Sequence, residues 1–159
     1  MRADNDAFNS VNQSDAKKPR YVIEIAFDAG AAPTDLYYFT SHLDAATPSG
    51  ATVFNRVVNT ISGTSQKLDV LNARATIGAI SFKLQDNQHQ ITDLINTKLV
   101  AGDGLREKRV RIYIGDPELA WDDYQLVQTQ LIQTISIGDD GVYNFRCSDL
   151  QRVTRKDIF

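Results

Sequence analysis

The stretch from Lys108 to Phe159 constrains the fold most, because it reads as a run of strands joined by tight turns. Residues 109–115 put Val110, Ile112 and Ile114 on one face and Arg109, Arg111 and Tyr113 on the other, the period of a half-buried strand. Residues 124–137 form a longer run whose alternation slips near Leu131-Ile132, as a β-bulge would make it. Gly138-Asp139-Asp140-Gly141 supplies the positive φ values that a tight hairpin requires, and residues 142–147 return beside the long strand. Ser148-Asp149-Leu150-Gln151 then matches the S-x-x-Q capping box that opens a helix. A short C-terminal helix is therefore expected after the last strand.

The rest of the chain extends the same pattern. Residues 21–27 are β-branched and aromatic, the Asp28-to-Pro33 stretch turns them, and residues 36–40 return, which predicts a hairpin with a long loop. Residues 42–50 hold Pro48 and Gly50 and read as a loop. Residues 53–61 and 66–71 suggest a second hairpin around Ser62-Gly63-Thr64. Residues 75–84 form another strand, with Ile80, Phe82 and Leu84 alternating with Ser81 and Lys83. One internal helix is expected over residues 89–100, where Ile91, Leu94, Ile95 and Leu99 share a face and Gly102 and Gly104 stop it. About eight or nine short strands with one packed helix predict a mainly β domain, a barrel or sandwich.

Bulk properties narrow the function classes. The 159 residues suit one domain, and 42% hydrophobic with 23% charged content is that of a globular chain. A net charge of −3 argues against a nucleic-acid-binding surface. No apolar run reaches the roughly 18 residues of a membrane span, and the first twenty residues lack the apolar core of a signal peptide. Residues 1–20 are polar and read as a flexible or subunit-reaching arm, with Phe8 and Val11 as its possible assembly anchors. The single β-rich domain is then expected over residues 21–159. Lone Cys147 excludes an intrachain disulfide and reads as a small buried apolar residue.

No catalytic constellation emerges. Asp116, Glu118, Asp122 and Asp123 surround Trp121, but their spacing matches no calcium loop, and the segment reads as a solvated turn. His42 and His89 have no Cys or His at ligand spacing. Ser41 and His42 are adjacent, so in extended chain they would point to opposite faces. Gly102-Asp103-Gly104 follows a helix instead of opening one, unlike a phosphate-binding loop. Arg152, Arg155 and Lys156 are too few for nucleic acid. Gln125, Gln128, Thr129, Gln130, Gln133 and Thr134 make the long strand rich in uncharged polar groups, which fits solvent, a wet interface or a lumen. No catalytic residue, cofactor or metal is assigned, and the chain is not expected to be an enzyme.

Several segments together resemble a known family. Gly78-Ala79-Ile80-Ser81-Phe82-Lys83-Leu84-x-Asp86, the internal helix, residues 108–115, Trp121, Tyr124-Gln125-Leu126-Val127-Gln128-Thr129 and Tyr143-x-Phe145-x-Cys147-Ser148-Asp149-x-Gln151-Arg152 are similar to the N-terminal part of phage tail and baseplate hub proteins, including those of Mu-like and siphophage-type tails and of gene transfer agents. The resemblance covers residues 21–159. It implies a tail-tube-like barrel or sandwich that assembles into a ring around a DNA channel, with other copies of itself and neighbouring tail or baseplate proteins as partners. It also implies residence in the virion after synthesis in the bacterial cytoplasm, and further domains beyond residue 159. No specific nucleic-acid binding and no membrane insertion are expected. Two rivals remain open. One is a carbohydrate- or peptide-binding β-sandwich stacking its ligand on Tyr37, Tyr38, Tyr113, Trp121 and Tyr124. The other is a hydrolase using the acidic loop as a metal site.

Overall fold

The computed structural model describes residues 19–28, 32–55, 57–62, 66–69 and 74–149, the segments 66–69 and 74–77 as backbone only. Ten strands and one α-helix follow in the order β1 (Arg20–Ala26), β2 (Leu36–Thr40), β3 (Thr52–Phe54), β4 (Val58–Ile61), β5 (Gln66–Asp69), β6 (Arg74–Ile77), β7 (Ile80–Gln85), α1 (Gln90–Val100), β8 (Arg109–Gly115), β9 (Gln125–Ile137) and β10 (Val142–Ser148). The mainly β expectation holds. Strand β1 begins one residue inside the segment read as an arm. The rest of that arm, including Phe8 and Val11, lies outside the described residues, as does the expected C-terminal helix beyond Asp149.

Eight strands form one sheet in the order β3-β2-β1-β8-β9-β10-β7-β4, and every pairing but β2–β3 is antiparallel. The two outer strands are consecutive in the chain, and Val57 stands between them. Its N–H donates to the Thr40 carbonyl at 3.0 Å, and its carbonyl accepts the Gln85 N–H at 2.7 Å. One residue therefore joins β2 to β7, and the sheet curls into a barrel instead of splitting into a sandwich.

The barrel interior is the main core. Ile23 and Ile25 of β1, Phe39 of β2, Phe82 and Leu84 of β7, Val110 and Ile112 of β8, Ile132 of β9 and Phe145 of β10 are buried together. Phe82 and Phe145 stack with centroids 4.8 Å apart. Each such side chain contributes about 1.5–3 kcal/mol by leaving water. Helix α1 closes one end with Ile91, Leu94 and Ile95. Asp86 ties it down, accepting the Ile91 N–H at 2.9 Å and the Thr92 hydroxyl at 2.5 Å, while Thr92 and Tyr143 share a 2.7 Å bond. The helix ends where Gly102 takes φ +84° and the N–H groups of Gly102 and Asp103 bond back to Leu99 and Lys98.

Four expectations need correction. Leu99 is 52% exposed. At about 100° per residue Lys98 falls in the middle of the face set by Ile91, Leu94 and Ile95, and Leu99 falls at its edge. Lys98 uses that position, with its ammonium over the rings of Phe27 and Tyr37 and paired to Asp35. The predicted run 53–61 is two strands, and 75–84 is also two. The expected hairpin between residues 53–61 and 66–71 does not form: β5 pairs with β6, and β4 pairs with β7. The slip in β9 is real, yet it consists of two bulges, with Val127 and Gln133 left out of the ladders.

Candidate functional site

A second apolar cluster lies on the outside of the barrel. Val22 and Tyr38 point outward from β1 and β2, and the loops 41–51 and 116–124 fold over them. Strand β1 is thus covered on both faces, which explains why its sequence is apolar without clean alternation. Trp121 is the keystone. It meets Tyr38 edge-on at 5.7 Å, Tyr113 at 4.7 Å and Tyr124 at 5.7 Å. The Tyr124 hydroxyl accepts the Ala46 N–H at 3.0 Å and joins the two loops. Burial raises the Tyr124 phenol above its usual range. Gly115 is required here, because a Cβ would collide with the Tyr124 ring. Arg20 clamps the other loop through two bonds to Asp44 of 2.7 and 2.8 Å, which hold the Asp44 carboxyl below its ordinary range.

This layer reassigns the acidic segment. Asp116 is buried, and its carbonyl accepts the Leu119 N–H at 3.0 Å, so the segment is a folded turn and not a loose solvated one. Glu118 and Asp122 point to solvent. Among the described residues no group of three His, Cys, Asp or Glu is arranged to hold a metal ion. The aromatic residues offered for stacking a ligand spend their faces on one another, except Tyr37. That ring meets Phe27 and Phe54 at the helix end of the barrel.

The remaining candidates scatter. Ser41 and His42 do not point apart: a bend brings Ser41 Oγ within 2.9 Å of His42 Nδ1, and the same oxygen accepts the Tyr21 N–H. His89 lies at the start of α1 with φ +60°. Cys147 is 2% exposed, and burial pushes its thiol up to about 12, which leaves no thiolate for chemistry near neutrality. Gly102-Asp103-Gly104 is the stop of α1.

Two polar residues are buried where the sequence did not predict it. Gln130 is 2% exposed, accepts the Ile80 N–H at 3.0 Å and donates to the Gly78 carbonyl at 2.9 Å, holding the start of β7. Glu24 is 4% exposed and receives the Tyr38 hydroxyl at 3.1 Å, with Arg109 at 3.4 Å and Arg111 at 3.7 Å. Only the alternation of β1, which points position 24 outward between apolar neighbours, could have signalled it.

Among the described residues, the end of the barrel opposite α1 is open. An apolar recess of about 210 Å³ there is lined by Tyr21, Ile61, Ser62, Ile80, Ile112, Ile114 and Val127. No described helix is long and apolar enough to cross a membrane.

No protein-family model and no curated protein sequence matches the chain. Among solved structures it is similar to a chain from the virion of a native gene transfer agent particle, with a TM-score of 0.64 and 14% identity. The match covers 92% of this chain and 45% of that one, so this chain spans less than half the length of its structural relative. At that identity the likeness establishes a shared fold.

Proposed function

We propose that the chain is a structural component of a phage-like virion, a ring-forming piece of the tail or baseplate hub that works through interfaces and not through turnover. The observation that carries this reading is the fold, which over nearly the whole chain is that of a protein in a gene transfer agent virion. The resemblance of its strand and turn segments to tail and hub proteins also supports it. So does the outer layer, whose aromatic rings pack on one another instead of lining a ligand site. A mildly acidic ring subunit also suits a channel for DNA, because like charge discourages sticking to passing phosphates. Phe8 and Val11 serve in this reading as anchors on a neighbouring subunit.

The test is to tag the chain in its host, purify particles by density gradient and locate the tag by electron microscopy. The tag should co-purify with particles and mark one end of the tail. Particles that form and lack the protein would remove the reading. Deleting residues 1–18 should leave the barrel folded and lower incorporation.

A further inference from the structure

Charge is distributed unevenly over this barrel. Strands β8, β9, β10, β7 and β4 are neighbours in the sheet, and none contains Asp or Glu, although acidic residues outnumber basic ones in the chain by 20 to 17. Their four cations, Arg109, Arg111, Lys83 and Arg146, all stand on the outer face, since Val110, Ile112, Phe82 and Phe145 alternate with them into the core. Lys83 and Arg146 are exposed and diagonal to one another across the β7–β10 ladder. The outward positions of β9 opposite these cations, Leu131, Thr129 and Thr134, are neutral; Leu131 and its neighbour Ser148 are buried, so the accessible part of this wall is the face that carries Lys83 and Arg146. At the border with β1, Arg109 and Arg111 share the single carboxylate of Glu24, so that pair too keeps an excess of positive charge.

The complementary surface is on the same chain. Between Arg111 and Arg146 the sequence contains no Lys or Arg, and this span includes the turn with exposed Glu118 and Asp122. That turn is held in place by the packing of Trp121 on Tyr38, Tyr113 and Tyr124, so little order is lost when it binds.

The geometry points to the basic outer face of β10 and β7, with exposed Lys83 and Arg146, as the docking surface for a second copy of this chain, which presents its Glu118–Asp122 turn. This inference rests on the assembly role proposed above. A two-fold contact through that face would set Lys83 and Arg146 against the same two cations of the other copy, and such like-charge juxtaposition is costly. The wall must therefore meet a different surface of its neighbour. Contacts of that head-to-tail kind generate rings or filaments. Duplex DNA is a poorer fit, because Arg109 and Arg111 are already engaged with Glu24 and the chain as a whole is negative.

A charge swap on the full chain tests this. One variant carries Lys83→Glu with Arg146→Glu, and the other carries Glu118→Lys with Asp122→Lys; all four positions are exposed. By sedimentation velocity the unaltered chain should associate with rising concentration, at least about tenfold more weakly in about 0.3 M than in about 0.02 M salt. Neither variant should associate alone, and the two mixed should associate again. An unaltered chain that stays monomeric at low salt and high concentration would overturn the inference. So would association that survives either reversal, or a mixture that fails to recover it. A short DNA duplex retained by the unaltered chain and lost by the wall variant would put nucleic acid on the wall instead. If the swap fails while the chain still co-purifies with particles, the docking surface falls and the virion role stands. Absence from particles removes the role itself.

Discussion

The two ends of the barrel are finished by different means. At one end α1 inserts Ile91, Leu94 and Ile95 into the core, and Asp86 fixes its first turn. At the other end two loops fold back over the outside wall around Trp121, and the mouth keeps an apolar recess. The helix end is sealed by the same buried surface that stabilises the fold. The loop end spends its aromatic residues on its own architecture and leaves apolar groups at the mouth. Stability is thus concentrated at the helix end, while the loop end keeps exposed apolar groups such as Tyr21 and Val127.

The largest effect should come from breaking the seal. Ile95→Asp places a carboxylate with no partner against the core and should cost roughly 2–5 kcal/mol. A thermal melt unchanged by this substitution would show that α1 does not hold that end. Trp121→Ala should cost less, about 1–3 kcal/mol, and hydrogen exchange should then quicken in residues 41–51 and 116–124 while α1 stays protected. Uniform loss of protection would mean that the outer layer and the core unfold as one unit.

Lys98→Ala sharpens the comparison at the helix end. It removes the ion pair with Asp35 and the contacts with Phe27 and Tyr37, worth about 1 kcal/mol in all. At the other end Cys147 is the reporter. Its folded pKa is raised by burial, so its contribution is full below the ordinary thiol value of about 8.5 and is lost as pH rises towards about 12. Alkylation in the native state at pH near the ordinary thiol value should be far slower than for an unfolded control. Equal rates would show that the open end breathes freely. The smallest effect is expected from Leu99→Ser, within about 0.5 kcal/mol, because that side chain is exposed.

What the sequence revealed follows how local each feature is. Strands β1, β2, β8 and β10, the Gly138–Gly141 turn and the stop at Gly102 depend on side chains only a few residues apart, and all were legible. The pairing of β4 with β7 was not, because nothing in Val58–Ile61 marks a partner some twenty residues away in preference to the next strand in line. Helix phase explains the exchange of Leu99 for Lys98. A long side chain with an ammonium tip can occupy a buried face if an acid and aromatic rings await it, and residue type alone sends it to the surface. Glu24 and Gln130 were hidden for the same reason, since their partners Arg109, Arg111 and Gly78 come from distant parts of the chain. The acidic turn was recognised as residues and mistaken in state, because its order comes from Trp121 stacking on rings elsewhere in the chain.

Val57 gives the barrel a seam one residue wide. Every other junction between neighbouring strands is a ladder, while here one amide and one carbonyl link the strands on either side. Parting that seam would cost few backbone bonds, and it would open the outer borders of β3 and β4 to any strand nearby. What keeps it shut is the side chain, 1% exposed among the core residues. A cavity-forming change such as Val57→Ala would then show itself first as aggregation, while the melting temperature still reported an intact domain.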